Sequence, residues 1–574
     1  MISEVEARSD RVDPSRKRVL SVASVFVFVA MFIQFYWTTL RTHFRLLSGD
    51  SGDAALIAFL HEHVYQSIFG HASLRDPQFF YPIHDVLGYT DAFLLNQIFY
   101  SPLRLLGAEP LLAAQLTFMA LTVIGGIAFA AVLVRFFGVR IWVAILAAAI
   151  FAFGHALYIK TSHPQHYTID FVPVVAYLAL AAILQEGSPT GTAALSFSAA
   201  LLYGLCFATG YYMSWLTAFF LLFALPVFVA LYRDELVQFV QANRKRLVIG
   251  FVFGAIGFCI GASLVVWIYI PAIDALRGLS NQNFLANAAT FRDIINVSDA
   301  NLLWGKLLPH IIPLNRLQHT ELALAVTPLL VLTSVVGTIF FLRVGKRSQY
   351  ERLVLALCLA ILFGYGAIYL FTITYRGAWS LFFIVQKILP GAIAIRVGFR
   401  SQVVSALFVT VAVSLVAEAY LRRRANQSEL ASDFYISVRS SLVVFCLGIV
   451  LALEQVDTRQ LALLDRSAEI AILSNVKTPP PQCRAFAIYN DGSRALAAIH
   501  IDAMRISQRF GLPTVNGYSG GVPKGWNLSN VWEPMYISNV RAWADANAIE
   551  RPICLYDSVT NAWRNLDNDV VRSN

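Results

Sequence analysis

Charged and imidazole side chains are scarce in this chain, and those that could do chemistry gather in three stretches. The first is LLSGDSGDAALIAFLHEH, where Asp50 and Asp53 stand three apart and Gly49 and Gly52 allow a tight turn. A carboxylate held near a bilayer surface suits a general base. Asp53 equally suits the N-cap of the helix predicted by the periodicity of AALIAFLHEHVYQSIFG. The second stretch is GHALYIKTSHPQHYTID, with His155, Lys160, His163, Gln165 and His166 expected on one face. His163 and His166 suggest a metal, but no cysteine or third paired ligand accompanies them, so hydrogen bonds to a polar substrate are the expectation. The third is QKILPGAIAIRVGFRSQ, in which Arg396 and Arg400 lie four apart and are expected on one helical face. Planar guanidinium groups at headgroup depth suit a phosphate, which they bind bidentately. The structural alternative is a pair of anchors to lipid headgroups. Between the first two stretches, DPQFFYPIHDVLGYTDAFLLNQIFYSPLRLLG predicts a folded loop carrying an amphipathic helix over 91–106. Asp91 would there be a helix cap or a ligand.

These residues must be positioned by membrane helices. The chain has 574 residues, 57% hydrophobic and 14% charged, with a mean hydropathy of +0.61. A soluble domain carries about 25% charged residues, so a soluble enzyme is excluded. Apolar runs long enough to cross a bilayer recur at about 19–40, 111–134, 141–159, 171–184, 193–208, 213–232, 247–270, 322–342, 353–373, 403–421 and 440–453. The first follows Arg16, Lys17 and Arg18 and lacks a small-residue cleavage site, so it reads as an uncleaved span. With the N-terminus (1–18) inside, the inner loops hold 19 Lys and Arg in about 75 residues. The outer loops hold 13 in about 165, the asymmetry the positive-inside rule requires. The net charge of +9 thus belongs to cytoplasmic loops, and nucleic acid is not an expected partner.

The expected fold is an all-α polytopic membrane protein of about 11 transmembrane helices over 19–454, with long outer loops at 41–110, 271–321 and 374–402. A small soluble α/β domain follows at 455–574, outside the membrane. Strands are expected at 485–489 and 553–556 and helices at about 496–510 and 535–548, with the turn-rich string PTVNGYSGGVPKG between the helices. Cys206, Cys259, Cys358 and Cys446 fall in spans as small apolar residues. Cys483 and Cys554, the tail's only cysteines, sit on the predicted oxidising side and are expected to pair.

The Gly-Asp-rich loop after the first span, with its continuation FYPIHDVLGYTD and the terminal soluble domain, resembles the GT-C glycosyltransferase superfamily. More narrowly, FYPIHDVLGYTD, HPQ at 163–165, LPGAIAIRVGFR at 389–400 and LPTVNGYSGGVP at 512–523 resemble a group of bacterial polytopic membrane proteins. The resemblance implies a GT-C-like fold in the bacterial inner membrane. It also implies an inverting transfer of sugar from a polyprenyl-phosphate carrier, at the outer face, to a glycan or lipid acceptor. Asp53, with Asp50 in reserve, would then be the base. Arg396 and Arg400 would stabilise the departing phosphate, and His163, Gln165, His166 and Asp91 would bind substrate. Asp50 and Asp53 are not adjacent, which departs from the acidic pair of many members. No cofactor is required by these residues, and a divalent metal stays open. The competing classes are a transporter of lipid-linked sugar and a non-catalytic envelope protein. Transporters bury polar groups at the midplane and repeat their halves, and neither feature is visible here.

Overall fold

Eleven apolar helices cross or nearly cross the width of a bilayer among the described residues of the computed structural model, which describes 14–185, 187–276, 281–431, 434–460 and 462–567. Of the expected terminal segments, 1–13 and 568–574 lie outside the described residues. Nine of the helices have at least 18 residues, and two, Pro328–Arg343 and Val438–Leu453, are shorter. The helices around the site are the spans α1 (Pro14–Phe35), α4 (Pro110–Phe137), α5 (Pro189–Thr209), α6 (Tyr211–Leu231), α7 (Arg244–Tyr269), α8 (Pro328–Arg343) and α9 (Ser401–Ala431), with two loop helices, α2 (Asp53–Ile68) and α3 (Gln97–Leu105), after the first span. The chain is an integral membrane protein of the expected all-α class.

Small residues set the closest helix contact. Gly257 and Gly261 of α7 form a G-x-x-x-G pair against α5, where a Cβ on either would lie 2.3 Å from the Phe197 carbonyl or 2.5 Å from that of Leu201. Backbones approach this closely in lipid only where side chains are absent. The contact holds α7 beside the site.

The eighth span departs from expectation. Its helix begins at Pro328, and residues 322–326 are buried and non-helical. Proline is favoured in a first turn because its missing N–H is not needed there. The Glu454 carboxylate, from the far end of the chain's last span, accepts from the N–H groups of Leu329 and Leu330 at 2.6 and 3.1 Å. Buried in protein, irregular backbone at this depth is tolerated. It delivers Glu321 to the interior.

The loop helix is also shorter than expected, Gln97–Leu105 rather than 91–106. Asp91 does not cap it. Its Oδ1 accepts from the Tyr211 N–H at 2.8 Å and so caps α6. The exposed Ile98, Leu105 and Leu106 nevertheless make α3 an amphipathic surface helix.

Strand β1 (Leu46–Ser48) pairs antiparallel with β2 (Leu463–Asp465), tying the first outer loop to the chain entering the tail. In the tail, β3 (Ala485–Tyr489) runs parallel to β4 (Ile553–Asp557), and β4 pairs antiparallel with β5 (Ala562–Asn565). Helices α10 (Leu496–Phe510) and α11 (Tyr536–Ala546) complete a small α/β unit, and Cys483 is bonded to Cys554. The tail docks onto the first outer loop through backbone bonds. Tyr81 N–H donates to the Thr514 carbonyl at 2.9 Å and Phe80 N–H to that of Asn516 at 3.0 Å. Loop 41–110 and the tail therefore lie on one side of the spans.

Candidate active site

Asp50 and Asp53 have divided the two roles that the sequence left open. The Asp50 Oδ1 accepts from Gly52 N–H at 3.1 Å and Ala54 N–H at 3.2 Å, so Asp50 satisfies the orphan donors at the start of α2. Its carboxyl, raised by burial against the bond from Ala54, does not line the cavity described below. Asp53 is the first residue of α2. Relieved of capping, its side chain faces that cavity. The Asp53 Oδ1 accepts from the Tyr518 hydroxyl at 3.1 Å, and Oδ2 lies 3.4 Å from His163 Nε2.

His163 bonds Ser162 Oγ through Nδ1 at 2.8 Å. Burial, then Lys160 and Arg400, pushes it down to about 2, so it is a neutral ring beside Asp53. His166 is buried behind it, with Nδ1 bonding the His163 carbonyl at 2.7 Å. The two rings meet edge to face at 6.2 Å rather than converging. Among the described residues, no group of three or more His, Cys, Asp or Glu is placed to hold a metal. Gln165 lines the cavity, and its Oε1 is buried without a hydrogen-bond partner among the described residues.

The arginines do not sit on one helical face. Residues 395–397 are extended, a short 3-10 turn covers Gly398–Arg400, and α9 starts only at Ser401. The turn is closely packed: a Cβ on Gly398 would press on Phe284 and Thr372 at 3.0 Å. As a result the two arginines have different partners. Arg400 is bidentate to Glu321, Nη2 to Oε1 at 2.6 Å and Nε to Oε2 at 3.1 Å, and lies over the Tyr212 ring at 5.0 Å. Lys160 Nζ reaches the same Glu321 Oε1 at 2.8 Å. Burial raises the Glu321 carboxyl, but Arg400 and Lys160 outweigh it and hold it well below the usual range. Burial pushes Lys160 down to about 8 against the pull of Glu321. The anion that Arg400 needs is thus a protein carboxylate.

Arg396 is different. Its backbone N–H donates to the Tyr212 hydroxyl at 2.7 Å, while its guanidinium has no hydrogen bond or ion pair with a described residue and lines the cavity. Asp91 lines the same cavity. Burial raises its carboxyl to about 6, opposed by the Tyr211 N–H and by Arg400 and Arg396.

Asp53, Asp91, His163, Gln165, Arg396 and Arg400 therefore border one cavity of about 1030 Å³, whereas Asp50 and His166 do not. The same cavity has an apolar part to its lining, formed by Phe207 of α5 and by Phe258, Ala262, Val265 and Val266 of α7. Val266 is 58% exposed on the outer surface of the bundle. The lining thus combines polar groups from the loops with apolar side chains from two candidate membrane spans. Sequence reasoning missed Glu321 and Tyr518 as partners; nothing local marks Glu321, and the string LPTVNGYSGGVP that holds Tyr518 does not say which residue it meets.

No protein-family model matches the chain, and no curated protein matches it. Among solved structures, the chain is similar to the oligosaccharyltransferase of Archaeoglobus fulgidus in complex with zinc and sulfate. That match has 13% identity and a TM-score of 0.47, over 93% of this chain and 67% of that one. It is also similar to ArnT from Cupriavidus metallidurans bound to undecaprenyl phosphate, with 14% identity and a TM-score of 0.37, over 95% of this chain and 93% of that one.

Proposed function

We propose that the protein is a membrane glycosyltransferase of the GT-C type, which takes a sugar from a polyprenyl-phosphate carrier at the outer membrane face. One observation carries the reading: a carboxylate, Asp53, and a guanidinium without a partner among the described residues, Arg396, line the same cavity, whose lining also has an apolar stretch on α7, a helix long and apolar enough to span a bilayer. A lipid-linked sugar phosphate has these three parts: an electrophilic carbon, a phosphate and a hydrocarbon tail.

In the proposed reaction an acceptor hydroxyl attacks the anomeric carbon from the face opposite the phosphate. A C–O bond forms to the acceptor oxygen as the bond from the anomeric carbon to the phosphate oxygen breaks, so the configuration inverts. The hydroxyl proton passes to Asp53, a general base. The bonding pair leaves with the lipid phosphate, whose growing charge Arg396 stabilises through charge-assisted hydrogen bonds. Arg400, neutralised by Glu321, stiffens the wall beside it. The neutral ring of His163 leaves the negative charge of Asp53 in place, and Gln165 offers an acceptor oxygen to a sugar hydroxyl.

The test is incubation of the purified protein with a panel of polyprenyl-phosphate sugars, with and without membrane-derived acceptors, scoring release of lipid phosphate. Release that depends on acceptor supports the reading. Binding of these lipids without release, under conditions that preserve the fold, contradicts it.

A further inference from the structure

We propose that Tyr518 of the C-terminal domain is a positioning residue of the membrane-face site, holding one oxygen of Asp53 so that the other receives the proton. The inference rests on the glycosyltransfer reading and deepens it, because it makes the soluble tail a part of the active site.

The turn that carries Tyr518 is fixed from both sides. Asn516, fully buried, accepts from the Ile488 N–H of β3 through Oδ1 at 2.9 Å and donates to the Tyr536 hydroxyl of α11 at 2.9 Å, which roots the turn in the core of the tail. Its carbonyl accepts from Phe80 N–H at 3.0 Å, which ties the turn to the first outer loop. Between these anchors the chain runs Gly517-Tyr518-Ser519-Gly520. A Cβ on Gly517 would lie 2.5 Å from the Phe80 ring, and one on Gly520 would lie 2.8 Å from the Tyr89 carbonyl and 3.4 Å from Arg396 Nη2. Glycine is needed at both positions for the turn to lie flat on the loop. Tyr518 and its two successors then enter the cavity, and the Tyr518 hydroxyl meets Asp53 Oδ1 at 3.1 Å.

The bond has a direction. Asp53 as a carboxylate offers only acceptors, so Tyr518 must donate. Burial first, then Asp53 itself, pushes the Tyr518 hydroxyl up, so it keeps its proton. With Oδ1 engaged, Oδ2, which accepts no hydrogen bond from a described residue and has His163 Nε2 3.4 Å away, is the oxygen left for the acceptor hydroxyl. A base aimed in this way loses little substrate affinity but much rate when the aim is lost.

The experiment is steady-state kinetics on the full-length protein in lipid nanodiscs, comparing native, Tyr518→Phe, Asp53→Asn, Gly520→Ala and Gly521→Ala. Tyr518→Phe is expected to lower kcat by about 10- to 100-fold, with KM for the lipid-linked sugar within about twofold of native. Gly520→Ala, which must lift the turn, is expected to lower kcat as well. Gly521→Ala, whose Cβ would sit 4.0 Å from Tyr89, is expected to match native. If Tyr518→Phe does not accumulate, the two glycine variants carry the comparison. An inactive Asp53→Asn beside Tyr518→Phe with native kcat would overturn this inference alone. Asp53→Asn with native turnover would overturn Asp53 as the base and this inference with it, whereas native protein that binds the lipid-linked sugar but releases no lipid phosphate would overturn the glycosyltransfer reading itself.

Discussion

Replacing Glu321 by glutamine leaves two buried cations without their shared carboxylate. Arg400 loses a bidentate partner at 2.6 and 3.1 Å, and Lys160 loses one at 2.8 Å. The side chains of Arg400 and Glu321 are each 10% exposed and that of Lys160 is fully buried, so water offers little compensation. Breaking a buried pair from one side costs about 3–5 kcal/mol. The two cations respond differently. Lys160, already pushed down to about 8 by burial with Glu321 holding it up, can shed its proton. Arg400 cannot, because a guanidinium stays charged. Most of the loss should therefore come through Arg400, at about 3 kcal/mol, since the glutamine oxygen still accepts one bond. That is a large part of the roughly 5–15 kcal/mol that holds a typical domain. The assay is loss of helical circular dichroism on heating, in one detergent at one scan rate, for Glu321→Gln, Arg400→Gln and the double variant. Glu321→Gln should melt furthest below native and Arg400→Gln less so, since Glu321 keeps Lys160 at 2.8 Å; the double should recover much of the Glu321→Gln loss, because no guanidinium is left unpaired and Lys160 can shed its proton. Equal additive losses, or a Glu321→Gln protein that melts with native, would refute the reasoning.

Other consequences separate the neighbouring groups. Arg396→Ala should weaken binding of a polyprenyl phosphate by about 10- to 100-fold without lowering the melting temperature, as loss of a contact to a charged group worth about 1.5–3 kcal/mol would do; Arg400→Ala should show the opposite pattern, and direct lipid-binding measurements beside melts check both. Asp91, raised to about 6 chiefly by burial, is neutral below that pH and negative above it. Affinity for a phosphodiester-linked sugar, which keeps one charge over this range, should therefore fall as pH rises through about 6, and Asp91→Asn should remove the inflection. Gly261→Leu should part α7 from α5, since its Cβ would lie 2.5 Å from the Leu201 carbonyl. The cost of such overpacking is about 1–3 kcal/mol or more, read against Gly254→Ala, whose nearest contact would be 3.8 Å.

The spans were legible because hydropathy over about twenty residues is a local property of the chain. Strands β3 and β4 of the tail were legible for a similar reason, as AFAIY and ICLY are short apolar runs bounded by turn residues, whereas β2 and β5 were not expected. Partner choice was not local. Arg400 was expected to await a substrate phosphate, but its anion comes from Glu321, 79 residues earlier. Tyr518 reaches Asp53 across 465 residues of sequence. The string NGYSGG stood out as a turn and as part of the resemblance, but nothing in its composition says what lies beneath it. Four-residue spacing misplaced the arginines because a helical face was inferred where the helix starts only at Ser401, after both of them. Asp91 was read against its own helix, whereas its N–H partner belongs to α6, 120 residues on.

The central claim is that Asp53 accepts a proton while the site transfers sugar from a lipid phosphate. Single-turnover mixing with a radiolabelled polyprenyl-phosphate sugar and excess acceptor, following lipid-phosphate release and lipid binding separately, tests it most directly. Native protein should release the lipid phosphate and give product of inverted anomeric configuration. Asp53→Asn should bind the same lipid with nearly native affinity and release none of it. Release by Asp53→Asn at the native rate, or native protein that moves the intact lipid-linked sugar across the bilayer without cleaving it, would contradict the account.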